Sequence, residues 1–142
     1  MKNKLLAAIL CAATLLTGCS TAPVEDATVD VDLTTLSSTM VYSEVYNIMS
    51  NPESYRGKSI KVDGLMFVDY DPELNSDYYA VIIEDATACC QQGIEFVCEH
   101  MESLPADGTK IEVTGEFGSY DAPGGGCYYC IYCDQIKEVT NV

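Results

Sequence analysis

The chain is poor in positive charge and in histidine. Seven Lys and Arg stand against 22 Asp and Glu, and the 142 residues contain one His. Tracking a phosphate backbone needs clustered Lys and Arg, so this composition argues against a nucleic-acid partner. It argues equally against an electrostatic grip on anionic lipid. His100 lies beside Glu99 and Glu102, and no Ser, Asp or Glu is spaced around it as a triad. A general base needs a nucleophile within reach, and none is indicated. Carboxylates are so common here that their spacing carries no signal. A loop that cradles phosphate opens a helix, whereas Gly124-Gly125-Gly126 precedes a strand pattern and reads as a hairpin connection. No internal repeat is visible. Long apolar runs are also missing: Leu5 to Leu16 falls short of the ~20 residues that span a bilayer. These absences point away from catalysis and leave a binding or accessory role.

That short apolar run follows Lys2 and Lys4 and leads into Leu16-Thr17-Gly18-Cys19. A charged segment, an apolar segment and small residues before a cleavage point form a secretory signal. Leu-Thr-Gly-Cys closely resembles the bacterial lipobox. The resemblance implies cleavage before Cys19, lipidation of its thiol, and a protein anchored on the extracytoplasmic face of a bacterial membrane. Removing residues 1–18 leaves 124 residues with five basic and 22 acidic side chains, a net charge of −17. That length fits one domain, and the charge keeps a tethered domain in solution. Residues 19–36 have no apolar periodicity and read as a flexible tether. The domain is expected over 37–142.

Ser37, Ser38 or Thr39 can cap a helix in which Val41, Val45, Ile48 and Met49 recur at helical spacing. Asn51-Pro52 ends it. Strand patterns follow: Ile60 to Val68 with Gly64 as a bulge or bend, Tyr78 to Glu84, Ile94 to Cys98, Ile111 to Phe117, and Cys127 to Val139. Asp69 to Asp77 and Tyr120 to Gly126 read as loops. A helix and five short strands predict a mainly β fold, a five-stranded barrel with a short N-terminal helix.

Pro52-x-x-Tyr55-x-Gly57-Lys58-x-Ile60-x-Val62-x-Gly64 resembles the opening of oligonucleotide/oligosaccharide-binding (OB) domains in bacterial envelope proteins. Cys89-Cys90 before Gly93-Ile94 resembles a cysteine pair in the OB-like C-terminal domain of an uncharacterised, permease-associated membrane protein family. The likeness covers roughly residues 40 to 139. This chain lacks the membrane helices that precede the domain in that family, and it adds Cys127, Cys130 and Cys133.

Six cysteines remain once Cys11 and Cys19 are set aside: Cys89, Cys90, Cys98, Cys127, Cys130 and Cys133. An even count in an exported domain fits disulfides. The same thiolates, with His100 as a weaker ligand, suit zinc or copper. A thiol–disulfide redox role is a third reading, since Cys127-Tyr-Tyr-Cys130 has the Cys-x-x-Cys spacing. Along a strand, side chains alternate faces, so Cys127, Cys130 and Cys133 cannot ligate one ion together. Adjacent Cys89 and Cys90 are expected to partner other residues, because a disulfide between neighbours is strained. Tyr128, Tyr129 and Tyr132 are candidates to stack on a sugar or small ligand, although tyrosine also simply suits half-buried strands. The expectation is a non-catalytic, cysteine-stabilised envelope module without a cofactor. Its expected partners are the membrane, through the anchor, and another envelope protein or a small ligand.

Overall fold

A computed structural model describes residues 28–72, 74–99 and 103–140. The signal, Cys19 and His100 lie outside these residues. Short strand β1 (Val31–Asp32) is followed by a 3-10 turn at Leu33–Thr35, helix α1 (Ser38–Ser50) and a second 3-10 turn at Pro52–Ser54. Then come β2 (Ser59–Asp71), β3 (Ser76–Glu84), β4 (Gln91–Cys98), β5 (Lys110–Asp121) and β6 (Cys127–Glu138).

The last five strands close on themselves. Their order is β2-β3-β4-β6-β5, and β5 pairs back onto β2. β4 and β6 run parallel, while the other four seams are antiparallel. This is the five-stranded OB barrel, with β1 added in parallel to the edge of β2. One long strand must serve two partners: β2 pairs with β5 over Ser59–Leu65 and with β3 over Leu65–Asp71. Gly64 sits at the changeover. A Cβ there would collide with the Ile82 carbonyl and come within 2.8 Å of Val81 Cγ2, so the bend requires a residue without a side chain.

Alternation fills the barrel. Ile60, Val62 and Met66 of β2, Val81 and Ile83 of β3, and Ile94 and Phe96 of β4 are buried together with Ile111, Val113 and Phe117 of β5 and Ile131 of β6. In β6 the inward set is Tyr129, Ile131 and Cys133, and then Ile136. The change from odd to even follows a bulge: Gly115 pairs with Cys133 and Thr114 with Gln135, leaving Asp134 as the extra residue.

Helix α1 packs against β4 and β3, and its buried stripe of Val41, Val45 and Ile48 joins the same core. Each such side chain contributes ~1.5–3 kcal/mol by leaving water. Ser37 is the N-cap through its carbonyl, which accepts from the amides of Met40 and Val41 at 2.8 and 2.9 Å; its hydroxyl makes no cap bond.

Three boundaries differ from the sequence reading. Both hairpin loops expected around β2–β3 and β5–β6 shorten, because β2 runs on to Asp71 and β5 to Asp121. Met49 turns away from the core and is 39% exposed. The end of the expected tether is folded: Leu33 is fully buried, and Asp30 holds Ser59 through its amide and hydroxyl, both at 2.9 Å. Val29, Val31 and Leu33 alternate with Asp30 and Asp32, a period-2 signal too short to stand out within the polar tether, and Val31 and Leu36 pack on the core beside Leu33.

Candidate functional site

A cleft of about 580 Å³ lies on the β3–β4 face, between the β2–β3 hairpin and the start of β6. The hairpin contributes Asp69, Tyr70, Asp71 and Pro72, and β6 contributes Cys127, Tyr128 and Tyr129. Tyr78, Gly93 and Glu95 form its floor, and Met49 reaches it from the end of α1. In OB domains this is the face, and these are the flanking loops, at which oligonucleotides and oligosaccharides bind.

The aromatic lining is braced. Tyr128 stacks on Tyr120 with ring centroids 5.7 Å apart, and Tyr129 stacks on Phe117 at 6.1 Å. The Tyr129 hydroxyl donates to Glu53 at 2.8 Å, which ties β6 to the turn before β2. The Tyr70 hydroxyl donates to Asn75 Oδ1 at 2.9 Å across its hairpin. Tyr70 and Tyr128 are about half exposed and present free ring area to a ligand.

The electrostatics are one-sided. Asp69, Asp71 and Glu95 line the cleft, and no lining residue is basic. The basic side chains are engaged elsewhere: Arg56 with Glu53, Lys58 over the Tyr55 ring, Lys61 and Lys137 with Glu112, and Lys110 with Asp63. Burial raises the pKa of Glu95, against a 2.6 Å hydrogen bond donated by the Tyr120 hydroxyl. Beside it across the β4–β6 seam, Cys130 is fully buried, and desolvation together with the Glu95 charge pushes its thiol up to about 11. A thiol so placed stays protonated at neutral pH.

The six cysteines divide into three places. Cys127 lies exposed in the cleft lining, and buried Cys130 pairs with Glu95 across the β4–β6 seam. Cys98 and Cys133 are direct register partners across the β4–β6 seam and line a second cleft of about 630 Å³, together with Tyr132. Cys89 and Cys90 occupy the β3–β4 turn with their sulfurs 3.6 Å apart. They contact each other without a bond between the sulfurs. Of the three candidate tyrosines, Tyr128 and Tyr129 share the first cleft, while Tyr132 lies over Gly118 and faces the second. Sequence reasoning missed Tyr70, Glu95 and Met49. Tyr70 sat in a stretch read as loop, and Glu95 follows from strand parity only once Ile94 and Phe96 are known to point inward.

No family model matches the chain, and no curated protein matches it. Among solved structures the chain is similar to the N-terminal domain of the PriB protein from Thermoanaerobacter tencongensis, described as dimeric. The identity is 13%, the TM-score is 0.43, and the match covers 58% of this chain and 97% of that one. One expectation is corrected here. Exclusion of nucleic acid as a partner is withdrawn. That exclusion rested on net charge, which sums over the whole surface, whereas a ligand meets one local face.

Proposed function

We propose that this protein is a lipid-anchored, extracytoplasmic binding module without catalytic activity, and that the tyrosine-lined cleft on the β3–β4 face is its binding site. The observation that carries this reading is the convergence of Tyr70, Tyr78, Tyr128 and Tyr129 on the face where OB barrels take ligands. The ligand class that fits is a glycan. Flat rings cover the apolar faces of sugars, and the carboxylates of Asp69, Asp71 and Glu95 accept from sugar hydroxyls. Anchoring rests on the Leu16-Thr17-Gly18-Cys19 motif. Among the described residues no helix is long and apolar enough to cross a membrane.

Binding of the full chain to an array of bacterial envelope glycans tests the cleft. Tyr70→Ala and Tyr128→Ala should each weaken binding about tenfold, the ~1.4 kcal/mol scale of one contact residue. Tyr132→Ala should leave it unchanged, because that ring faces the second cleft. Equal loss from Tyr132→Ala, or no glycan bound by the wild type, would sink the reading.

A further inference from the structure

The turn between β3 and β4 gathers two thiols and a carboxylate at one point. Asp85 Oδ1 accepts from the amides of Cys89 at 3.0 Å, Thr87 at 3.1 Å and Cys90 at 3.5 Å. The Asp85 amide donates to the Cys90 carbonyl at 3.0 Å, and Ala88 takes a left-handed conformation at φ 54°. The turn is therefore wound around one carboxylate, and both thiols emerge on the same side. The second oxygen, Oδ2, remains turned toward the sulfurs, 3.4 Å from Cys89 Sγ. The two sulfurs are 3.6 Å apart, and the three ligand atoms all lie within 4.8 Å of one another.

We propose that Asp85, Cys89 and Cys90 form a binding site for zinc. A tetrahedral ion with Zn–S of ~2.3 Å and Zn–O of ~2.0–2.2 Å has an S···S edge of about 3.8 Å and an S···O edge of about 3.5 Å. Two of the three edges, at 3.6 and 3.4 Å, meet these values within about 0.2 Å, and the third, from Cys90 Sγ to the Asp85 carboxylate, lies within 4.8 Å. A carboxylate oxygen beside two thiolates suits Zn²⁺ better than Cu⁺, which prefers sulfur alone. Both cysteines are exposed, so the fourth position faces solvent. A structural zinc site is closed by four protein ligands, whereas two exposed thiolates beside one half-buried carboxylate give a site that can load and unload. This site is separate from the tyrosine-lined cleft, and neither reading depends on the other.

Binding replaces two thiol protons by one ion: both protons go to solvent and no electron moves. Both thiols must lose their protons to ligate, so zinc affinity should rise with pH.

The test is zinc titration of the full chain, reduced and freed of metal, against a chromophoric chelator, with native mass as a second readout. The expected result is one Zn²⁺ per chain, with affinity that rises with pH. The Cys89→Ser/Cys90→Ser double variant should lose about a hundredfold or more in affinity, and Cys98→Ser/Cys133→Ser should lose nothing. Asp85→Asn separates ligand from loop brace. Its Oδ1 still accepts from the turn amides, but an NH₂ group replaces the ligating oxygen. It should keep the wild-type melting temperature and lose about tenfold or more in zinc affinity. No zinc on the wild type, full binding by the Cys89/Cys90 double variant, or unchanged affinity in Asp85→Asn would each overturn the proposal.

Discussion

Cys98 and Cys133 stand opposite each other across the parallel β4–β6 seam, both partly buried. Each thiol perturbs the other: their interaction lowers the pKa of Cys98 against its burial and, together with burial, raises that of Cys133. No hairpin joins these two strands, so a covalent link here would close the barrel where the chain itself does not.

We expect oxidised glutathione to convert this pair to a disulfide. The bridge would close a loop of about 35 residues, for which chain entropy gives ~4 kcal/mol of stabilisation, less any strain. Peptide mapping should show Cys98 joined to Cys133. The melting temperature should rise on oxidation and fall back with reductant, and the Cys98→Ala/Cys133→Ala variant should respond to neither. Mapping that finds both thiols alkylated after oxidation would refute the staple.

Glu95 gives the cleft a pH response of known sign. Its carboxyl pKa is raised in the folded protein by burial, despite the Tyr120 bond. The stability tied to its proton is therefore fully present below the unfolded value of ~4.3 and is lost as pH rises through the higher folded value. Glu95→Gln keeps an acceptor for the Tyr120 hydroxyl and removes the charge. It should melt higher than wild type at neutral pH, with the difference vanishing in acid. A variant less stable than wild type at neutral pH would show that the ionised carboxylate is the favoured form.

The barrel was legible from strand alternation and from Gly64, because both are local signals. Ile60, Val62, Ile111 and Val113 announce their faces within five residues. What could not be read was set by distant partners. The Asp134 bulge depends on how β6 meets β5, and it alone explains why Ile136 points inward after Cys133. The cleft is likewise a meeting of Tyr70, Glu95 and Tyr128 from three strands. The six cysteines were visible as residues, but their grouping was not. Cys98 finds Cys133 through strand order, and Cys89 meets Cys90 because Asp85 winds the turn.

Leu33 measures where the domain begins. It is fully buried in the core, with Val31 and Leu36 packed beside it, although all three precede α1. Leu33→Ala should cost ~2–5 kcal/mol, the range for a buried leucine that leaves a cavity. Thr35→Ala, an exposed position on the same turn, should cost within about 0.5 kcal/mol. Denaturant midpoints of the two variants decide the matter, and a neutral Leu33→Ala would return residues 30–36 to the tether.

The proposed anchor requires one sulfur. If Cys19 carries lipid, Cys19→Ala should leave the precursor unprocessed or release the protein from the membrane fraction, and metabolic labelling with a fatty acid should vanish. Leu16→Asp should act the same way, because the box needs its apolar residue and the h-region ends there. A single acyl chain holds a protein only marginally, whereas two or more hold it firmly, so wild-type protein should resist extraction by high salt and carbonate and yield only to detergent. Labelled, membrane-bound Cys19→Ala would show that the attachment lies elsewhere in the chain.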